Sequence, residues 1–245
     1  MKLKVFAKKN ALYDEVAREI CQLIQAKPCL SLGLATGNTQ IPLYQALVRL
    51  AKKKDIDFSQ LSTFNLDEYI GVPASSPSSF RFYMDKQLFH DLPVKHCYFP
   101  YADESCSIED NIATFEKAIQ EHGGIDFQLL GIGRNGHIGF NEPPSERNSG
   151  TREVMLAPET LEDNKKDLVH GEVPSSAVTM GIDTIYRAKK IALIAIGEKK
   201  AEAIRQMFEC DANPQCPASF LQDHPKLTVY ADLDAVSLLS KKINN

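Results

Sequence analysis

Short apolar runs that alternate with helix-period segments restrict the fold of this chain more than any other feature. Residues 29–34, 127–132 and 191–196 are largely apolar along their whole length, which is typical of parallel strands covered on both faces. The segments between them carry apolar residues at helical spacing. This alternation predicts a doubly wound, Rossmann-like α/β fold, with a mostly parallel sheet and helices on both faces.

Apolar residues recur with helical period in two of the intervening segments. They are Val16, Ile20, Leu23 and Ile24 in the first segment and Ile108, Ile112, Phe115 and Ile119 in the second. Ser107 is placed to cap the second helix, and Gly123 and Gly124 are placed to end it. We assign both apolar stripes to the core of a single domain that spans residues 1–245.

Composition and charge argue against several classes of partner. The chain has 245 residues, of which 43% are hydrophobic, a net charge of −4 and an isoelectric point near 5.9. Its basic residues are scattered, so neither nucleic acid nor an anionic membrane surface is an expected partner. No apolar stretch is long enough for a bilayer span or a signal peptide, which predicts a cytoplasmic location. The six cysteines lack metal-ligand spacing and are expected to be free thiols.

A turn rich in hydroxyl and amide groups follows the first apolar run. Thr36, Gly37, Asn38 and Thr39 precede a predicted helix with Pro42 near its start, so backbone N–H groups, two hydroxyls and a helix N-terminus converge on one anion. The turn lacks the Lys-Ser/Thr ending of a nucleotide-binding Walker motif, which favours a small phosphorylated metabolite. Taken alone, a structural turn capped by Thr39 explains the segment equally well.

Charged residues follow two further predicted strands, and ligands of open α/β sheets bind at such strand ends. Asp67 and Glu68 follow the strand near residues 61–65 and point to different sides, so that one of them reaches the site. Lys199 and Lys200 follow the strand at 191–196 and are long enough to reach the same anion. A solvated Glu-Lys-Lys run is the alternative for those lysines.

The loop at residues 131–143 carries the clearest signal for acid–base chemistry. Histidine is the side chain whose unperturbed pKa lies nearest neutrality, and Asn135 and Glu142 on the same loop as His137 are candidates to set its tautomer and charge. The glycines of this loop allow the backbone to approach a ligand closely. Together with the anion-binding turn, these groups favour proton transfer on a phosphorylated sugar without a metal or a cofactor.

The same loop contains the dinucleotide fingerprint Gly-x-Gly-x-x-Gly, at Gly131, Gly133 and Gly136. That motif requires a helix to begin at the last glycine, where it receives the pyrophosphate. Gly136 leads instead to Pro143 and Pro144, which permit at most a helix that begins there. We therefore do not expect a nicotinamide or flavin cofactor.

Six segments of the chain resemble the signature segments of glucosamine-6-phosphate deaminases, in the same order and over nearly the whole chain. They are residues 32–39, 64–69, 131–143, 178–182, 197–201 and 221–225. The resemblance implies a sheet of the sugar-phosphate isomerase type. It also implies the hydrolytic conversion of glucosamine 6-phosphate to fructose 6-phosphate and ammonia, in amino-sugar catabolism, with no cofactor consumed.

The resemblance also implies roles for individual residues. Asp67 is the base that moves a proton from C2 to C1, and His137 assists opening of the pyranose ring. Asn135 and Glu142 orient that histidine; since a neutral amide stabilises an imidazolium less than a carboxylate does, we expect Glu142 to be its charged partner. The implied substrate-binding residues are Thr36, Gly37, Asn38, Thr39, Gly136, Lys166 and Lys200.

Two features set expectations for regulation. Arg152 matches an arginine of the activator site in allosteric, hexameric relatives, but the chain lacks their C-terminal extension, so we expect a non-allosteric monomer or small homo-oligomer. Lys166 stands where some relatives have arginine, and a lysine supplies a point charge in place of a planar fork. The Pro- and Ser-rich segment 72–79 is predicted to be a functional loop or lid.

Three alternatives remain open at this point. A 6-phosphogluconolactonase resembles this fold and histidine loop, but the segments 67–69 and 140–143 favour a deaminase. A galactosamine-6-phosphate deaminase differs in one stereocentre of its substrate. A sugar-phosphate-sensing regulatory module is the non-enzymatic alternative, and such a module has no need for both Asp67 and His137.

Overall fold

The computed structural model describes residues 1–102, 104–156 and 174–240, and Lys166 lies outside them. The strands are β1 (Lys2–Phe6), β2 (Ser31–Leu34), β3 (Ser62–Asn65), β4 (Asp67–Tyr69), β5 (His96–Tyr98), β6 (Phe127–Gly131), β7 (Arg152–Met155), β8 (Ser176–Thr179), β9 (Ile191–Ala195) and β10 (Leu227–Asp232). The α-helices are α1 (Lys9–Ala26), α2 (Ile41–Lys54), α3 (Phe80–Met84), α4 (Ile108–Glu121), α5 (Ile182–Tyr186) and α6 (Ala201–Glu209). A π-helical stretch (Asp85–Phe89) and two 3₁₀ turns (Glu198–Lys200 and Pro217–Leu221) complete the set of described helices.

The main sheet has seven strands in the order β1-β10-β9-β6-β2-β3-β5, and every described pair within it is parallel. One face packs against α1 and α2, and the other packs against α4, α5 and α6. The predicted doubly wound α/β fold is therefore confirmed.

Both predicted amphipathic helices form. In α1, Val16, Ile20 and Ile24 are buried, while Leu23 is partly buried at the edge of the core. The Ser107 hydroxyl accepts a hydrogen bond from the Asp110 N–H at 3.0 Å and so caps α4, as the sequence predicts. After α4 the chain turns through two glycines with positive φ.

A second, three-stranded antiparallel sheet, in the order β4-β8-β7, was not predicted. Its strand β4 has only three residues, and two of them are acidic, so no alternating apolar pattern marks it. One residue, Leu66, separates β4 from β3 of the main sheet. The Leu66 N–H donates to the Leu34 carbonyl, and the Leu66 carbonyl accepts from the Met180 N–H. This spacer is therefore fixed to both sheets.

The strand order places a switch point between β2 and β6. These two strands are neighbours. The other neighbour of β2 is β3, and the other neighbour of β6 is β9, so the chain continues in opposite directions from this point. Outgoing loops diverge at such a point and leave a crevice at the carboxyl ends of the strands. Within the described ranges, no helix has the length and apolarity needed to cross a membrane.

Candidate active site

A cleft of about 1250 Å³ opens at the switch point. It brings together most of the residues that the sequence singles out. Those that line it are Thr36, Gly37, Asn38, Thr39, Asp67, Asn135, His137 and Lys200. Gly136 and Glu142 do not line the cleft, but they belong to the same loop as His137. Part of the predicted lid, Pro77 to Ser79, forms a wall of the cleft, and its motion stays a prediction.

The anion-binding turn lies between β2 and α2, as expected. Gly37 has a φ of +99°, and its carbonyl accepts hydrogen bonds from the Gln40 N–H and the Tyr83 hydroxyl, both at 2.9 Å. Helix α2 begins at Ile41 with proline in its first turn. Thr39 is not the cap, because the N-cap residue is Gln40 and no side chain caps the helix. The N-terminus of a helix thus faces a cleft wall of hydroxyl and amide groups.

Three cationic side chains line the cleft. Lys200 is half-buried there, whereas Lys199 is exposed and lies outside the lining, so the structure separates two lysines that the sequence leaves equivalent. Sequence reasoning missed Lys86 and Arg134, which also line the cleft. Lys86 follows a short helix and belongs to no motif, so only the folded structure places it near the other site residues.

The histidine loop does not continue as a helix. Residues 134–150 form turns and a single bridge between Ile138 and Asn141, so the helix that a dinucleotide site requires is missing from this described stretch. A β-carbon on Gly133 would lie only 2.3 Å from the His137 ring. Glycine is therefore required at this position for the imidazole to lie against the backbone.

Glu142 contacts the imidazole of His137, whereas Asn135 contacts the His137 backbone. The His137 Nδ1 atom lies 2.9 Å from Oε1 of Glu142, at ion-pair distance but without the alignment of a hydrogen bond. Asn135 Oδ1 accepts from the His137 backbone N–H at 3.2 Å, and Asn135 Nδ2 donates to Glu142 Oε2 at 2.8 Å. The Asn135 oxygen therefore binds the His137 backbone and not the imidazole ring, and the Asn135 N–H₂ group contacts Glu142.

The side chains of Asp67 and Glu68 are both buried, but they face different parts of the structure. Asp67 lines the cleft and is 5% exposed; burial, with a smaller effect of Glu68, raises its pKa to about 8. Glu68 turns away and accepts N–H bonds from Tyr69, Phe80 and Arg81 at 2.9–3.0 Å. Burial raises the Glu68 pKa to about 7, against the lowering effect of those bonds. The residue that reaches the site is therefore Asp67.

Asp67 lies close to the backbone of the histidine loop. A β-carbon on Gly139 would lie 3.4 Å from Asp67 Oδ2 and 2.9 Å from Thr179 Oγ1, so the loop passes closely over β4 and β8. Arg152 on β7 donates to Asn141 Oδ1 at 2.8 Å, and Asn141 Nδ2 donates to the Met180 carbonyl at 2.8 Å. The second sheet therefore holds both the carboxylate and the loop that carries His137.

Among the described residues, no group of three or more His, Cys, Asp or Glu side chains is arranged to hold a metal ion. The groups that face the cleft are hydroxyls, amides, cations, one buried carboxyl and one imidazole. A doubly wound sheet with these groups at its switch point defines an α/β enzyme of the sugar-phosphate isomerase type. Residues 7–230 match the family described as glucosamine-6-phosphate isomerases/6-phosphogluconolactonase, and the chain belongs to that family.

Relatives and solved structures agree with this assignment. A glucosamine-6-phosphate deaminase of Shouchella clausii is 43% identical over 237 residues, which cover 94% of this chain and 96% of the relative. One from Shewanella loihica is 46% identical over 232 residues, with coverages of 92% and 85%. The structure of a monomeric glucosamine-6-phosphate deaminase superposes with a TM-score of 0.91 at 37% identity and covers 97% of this chain and 100% of its own.

A 6-phosphogluconolactonase from Trypanosoma cruzi has a TM-score of 0.76 at 20% identity, over 98% of this chain and 97% of its own. At that identity the likeness establishes a shared fold only.

Proposed function

We infer that this chain is a glucosamine-6-phosphate deaminase, which converts glucosamine 6-phosphate and water to fructose 6-phosphate and ammonia. The observation that carries the reaction is a buried carboxyl, Asp67, in the same cleft as His137 and an anion-binding helix N-terminus. Relatives that are 43% and 46% identical carry the name of this enzyme.

The proposed reaction begins with substrate held through its phosphate. The turn at residues 36–39 and Lys200 bind the phosphoryl group, and Lys166, outside the described residues, is a further proposed contact. His137 assists transfer of the proton that accompanies opening of the pyranose ring. Glu142 contacts the imidazole and orients it, and Asn135 fixes Glu142 in place.

Asp67 then moves a proton between carbons. It removes the proton from C2 of the open-chain aldehyde and returns a proton to C1. The carbonyl oxygen gains the proton that the amine loses, which leaves a hydroxyl on C1 and an imine at C2. Water adds to that carbon, and the C–N bond breaks to release ammonia and the ketose. A carboxylate whose pKa is raised to about 8 is a stronger base than an ordinary one, and it is poised near neutrality to accept and return a proton.

Lactone hydrolysis is the second candidate reaction. It does not require a base that removes a proton from carbon. The solved 6-phosphogluconolactonases are 17–22% identical to this chain, whereas the solved deaminase is 37% identical. Asp67, buried and facing the cleft, also favours proton transfer at carbon. Galactosamine 6-phosphate is the nearer alternative substrate, and the assay below distinguishes it.

We further propose that residues 1–245 form one catalytic domain that works as a monomer in the cytoplasm, in amino-sugar catabolism. The high similarity to a monomeric deaminase supports the oligomeric state. All six cysteines are free thiols, which suits a reducing compartment.

Ammonia release from glucosamine 6-phosphate tests the function. Galactosamine 6-phosphate and 6-phosphogluconolactone serve as comparison substrates, and Asp67→Asn serves as the variant. We expect ammonia and fructose 6-phosphate from the wild type, with kcat reduced in the variant by at least about 10²-fold. Preferential turnover of either comparison substrate would transfer the assignment to that reaction, and binding of sugar phosphate without turnover would favour a sensing module.

A further inference from the structure

Gln40 is a buried amide that nothing in the described structure satisfies. It directly follows the anion-binding turn, is fully buried, and is among the residues that line the floor of the cleft. Neither its Nε2 nor its Oε1 atom has a hydrogen-bond partner among the described residues. Buried amides are almost always paired, so an idle one next to a binding cleft requires an explanation.

The amide of Gln40 lies in the crevice at the switch point. Gln40 itself connects β2 to α2, and its Nε2 atom lies 3.5 Å from the position that a β-carbon on Gly131 would take at the end of β6. The side chain therefore extends from the anion-binding turn towards the start of the histidine loop. It lies beside the crevice in which ligands of doubly wound sheets bind.

Its neighbourhood is suited to an anion. Gln40 is the N-cap residue of α2 but makes no side-chain cap. Its buried N–H₂ group is therefore unsatisfied beside the first N–H groups of a 14-residue helix. The nearby buried Tyr44 hydroxyl, by contrast, is satisfied by the Ala35 carbonyl. An amide donor without a partner at a helix N-terminus complements a phosphoryl oxygen.

We propose that Gln40 is a substrate-binding residue whose Nε2 donates a hydrogen bond to the phosphoryl group of the sugar phosphate. This inference rests on the proposed function for the identity of the sugar, but the phosphoryl contact is independent of the reaction at C2. The unpaired amide thus lowers the stability of the ligand-free protein, and the phosphoryl group satisfies it in the complex. Replacement by an apolar side chain of similar size is expected to have opposite effects on stability and on affinity.

The test compares Gln40→Met with Gln128→Met, a matched substitution of another fully buried glutamine that faces Gly33 and lies outside the cleft lining. For Gln40→Met we expect a melting temperature at or above that of the wild type. We also expect KM for glucosamine 6-phosphate to rise at least about tenfold, with a smaller change in kcat. Affinity for inorganic phosphate, measured by calorimetry, is expected to fall in parallel. Gln128→Met is expected to leave KM and phosphate affinity unchanged.

Gln40→Glu provides a second test if the methionine variant fails to fold, because a carboxylate at this position repels phosphate. Unchanged phosphate affinity in a folded Gln40 variant would overturn the proposal. A loss of affinity accompanied by an equal loss in Gln128→Met would also overturn it, since that result reports general core damage. The phosphate measurement decides the role of Gln40 even if the wild type releases no ammonia, so the two inferences fail separately.

Discussion

The carboxylates of Asp67 and Glu68, adjacent in the chain, lie on opposite sides of β4 and hold different parts of the site. Asp67 faces the cleft and the histidine loop. Glu68 accepts the first two N–H groups of α3, from Phe80 and Arg81, and α3 in turn contributes Tyr83, whose hydroxyl donates to the Gly37 carbonyl. One strand of three residues therefore positions the proposed base directly and, through α3, supports the anion-binding turn.

Stability should depend on pH through Asp67. Burial raises its folded-state pKa to about 8 from a value of 3.8, so the folded protein binds this proton more tightly than the unfolded chain does. The carboxyl therefore opposes folding increasingly as pH rises from about 4 to about 8. We expect Asp67→Asn to increase the melting temperature little near pH 4 and most at pH 8 and above. A gain that is constant across thermal scans in this range would contradict the prediction.

Glu142→Gln should change the pH dependence of catalysis. The substitution keeps an acceptor for Asn135 but removes the negative charge 2.9 Å from His137 Nδ1. We expect kcat to fall by roughly 10-fold or more and the pH–rate profile to change shape. Glu146→Gln, which alters an exposed carboxylate shortly after this loop, is the control and should behave as the wild type. An unchanged profile in Glu142→Gln would remove Glu142 from the proposed mechanism.

Lys200 and Lys199 should differ in their effect on substrate affinity. Lys200 lines the cleft and Lys199 does not. Lys200→Met is expected to raise KM by at least about tenfold, because a charge-assisted hydrogen bond to phosphate is worth roughly 1.5–3 kcal/mol. Lys199→Met should leave KM close to the wild-type value. Steady-state kinetics at low and moderate ionic strength test both variants. Equal effects on KM would contradict the prediction, because they would show that both lysines act only through the positive charge of the surface.

Gly136→Ala should destabilise the protein through its contact with Cys216. Gly136 has a φ of +82°, and a β-carbon there would lie 2.5 Å from Cys216 Sγ. We expect a loss of about 1–3 kcal/mol from backbone strain alone, with the steric contact adding to it. Cys216→Ala should restore part of the loss in a double-mutant cycle followed by urea unfolding. Gly150→Ala, where a β-carbon meets nothing within 4 Å, is the control; a loss equal to that of Gly136→Ala would contradict this account.

Arg152 should support activity without any effector. Its guanidinium donates to Asn141 of the histidine loop at 2.8 Å, so it already has an acceptor within the protein. We expect Arg152→Ala to lower kcat severalfold by loosening that loop, and N-acetylglucosamine 6-phosphate to leave wild-type kinetics unchanged. Strong activation of the wild type by that compound would show that the activator site of the allosteric relatives is retained.

The sequence predicts the features of this site that are local to one strand end. The parallel sheet, the anion-binding turn and the contact of Glu142 with His137 all follow from short-range patterns. Gln40 and Lys86 could not be found in this way, because a single glutamine or lysine outside a motif carries no signal until the fold places it. Asn135 shows a third case: the sequence places it with Glu142 beside His137, but only the structure shows that its oxygen accepts from the His137 backbone N–H and not from the ring.

The single-residue spacer at Leu66 has a consequence for recognising such enzymes from sequence. Both of its peptide groups are held, one by each sheet, so it cannot absorb a change in chain length. Insertion or deletion of one residue there would move the carboxylate by about 3.3 Å and turn it to the other face of the strand. A homologue can therefore retain every motif and still lose the carboxylate that we propose as the base, so the number of residues from Asn65 to Asp67 must be compared as well as the motifs.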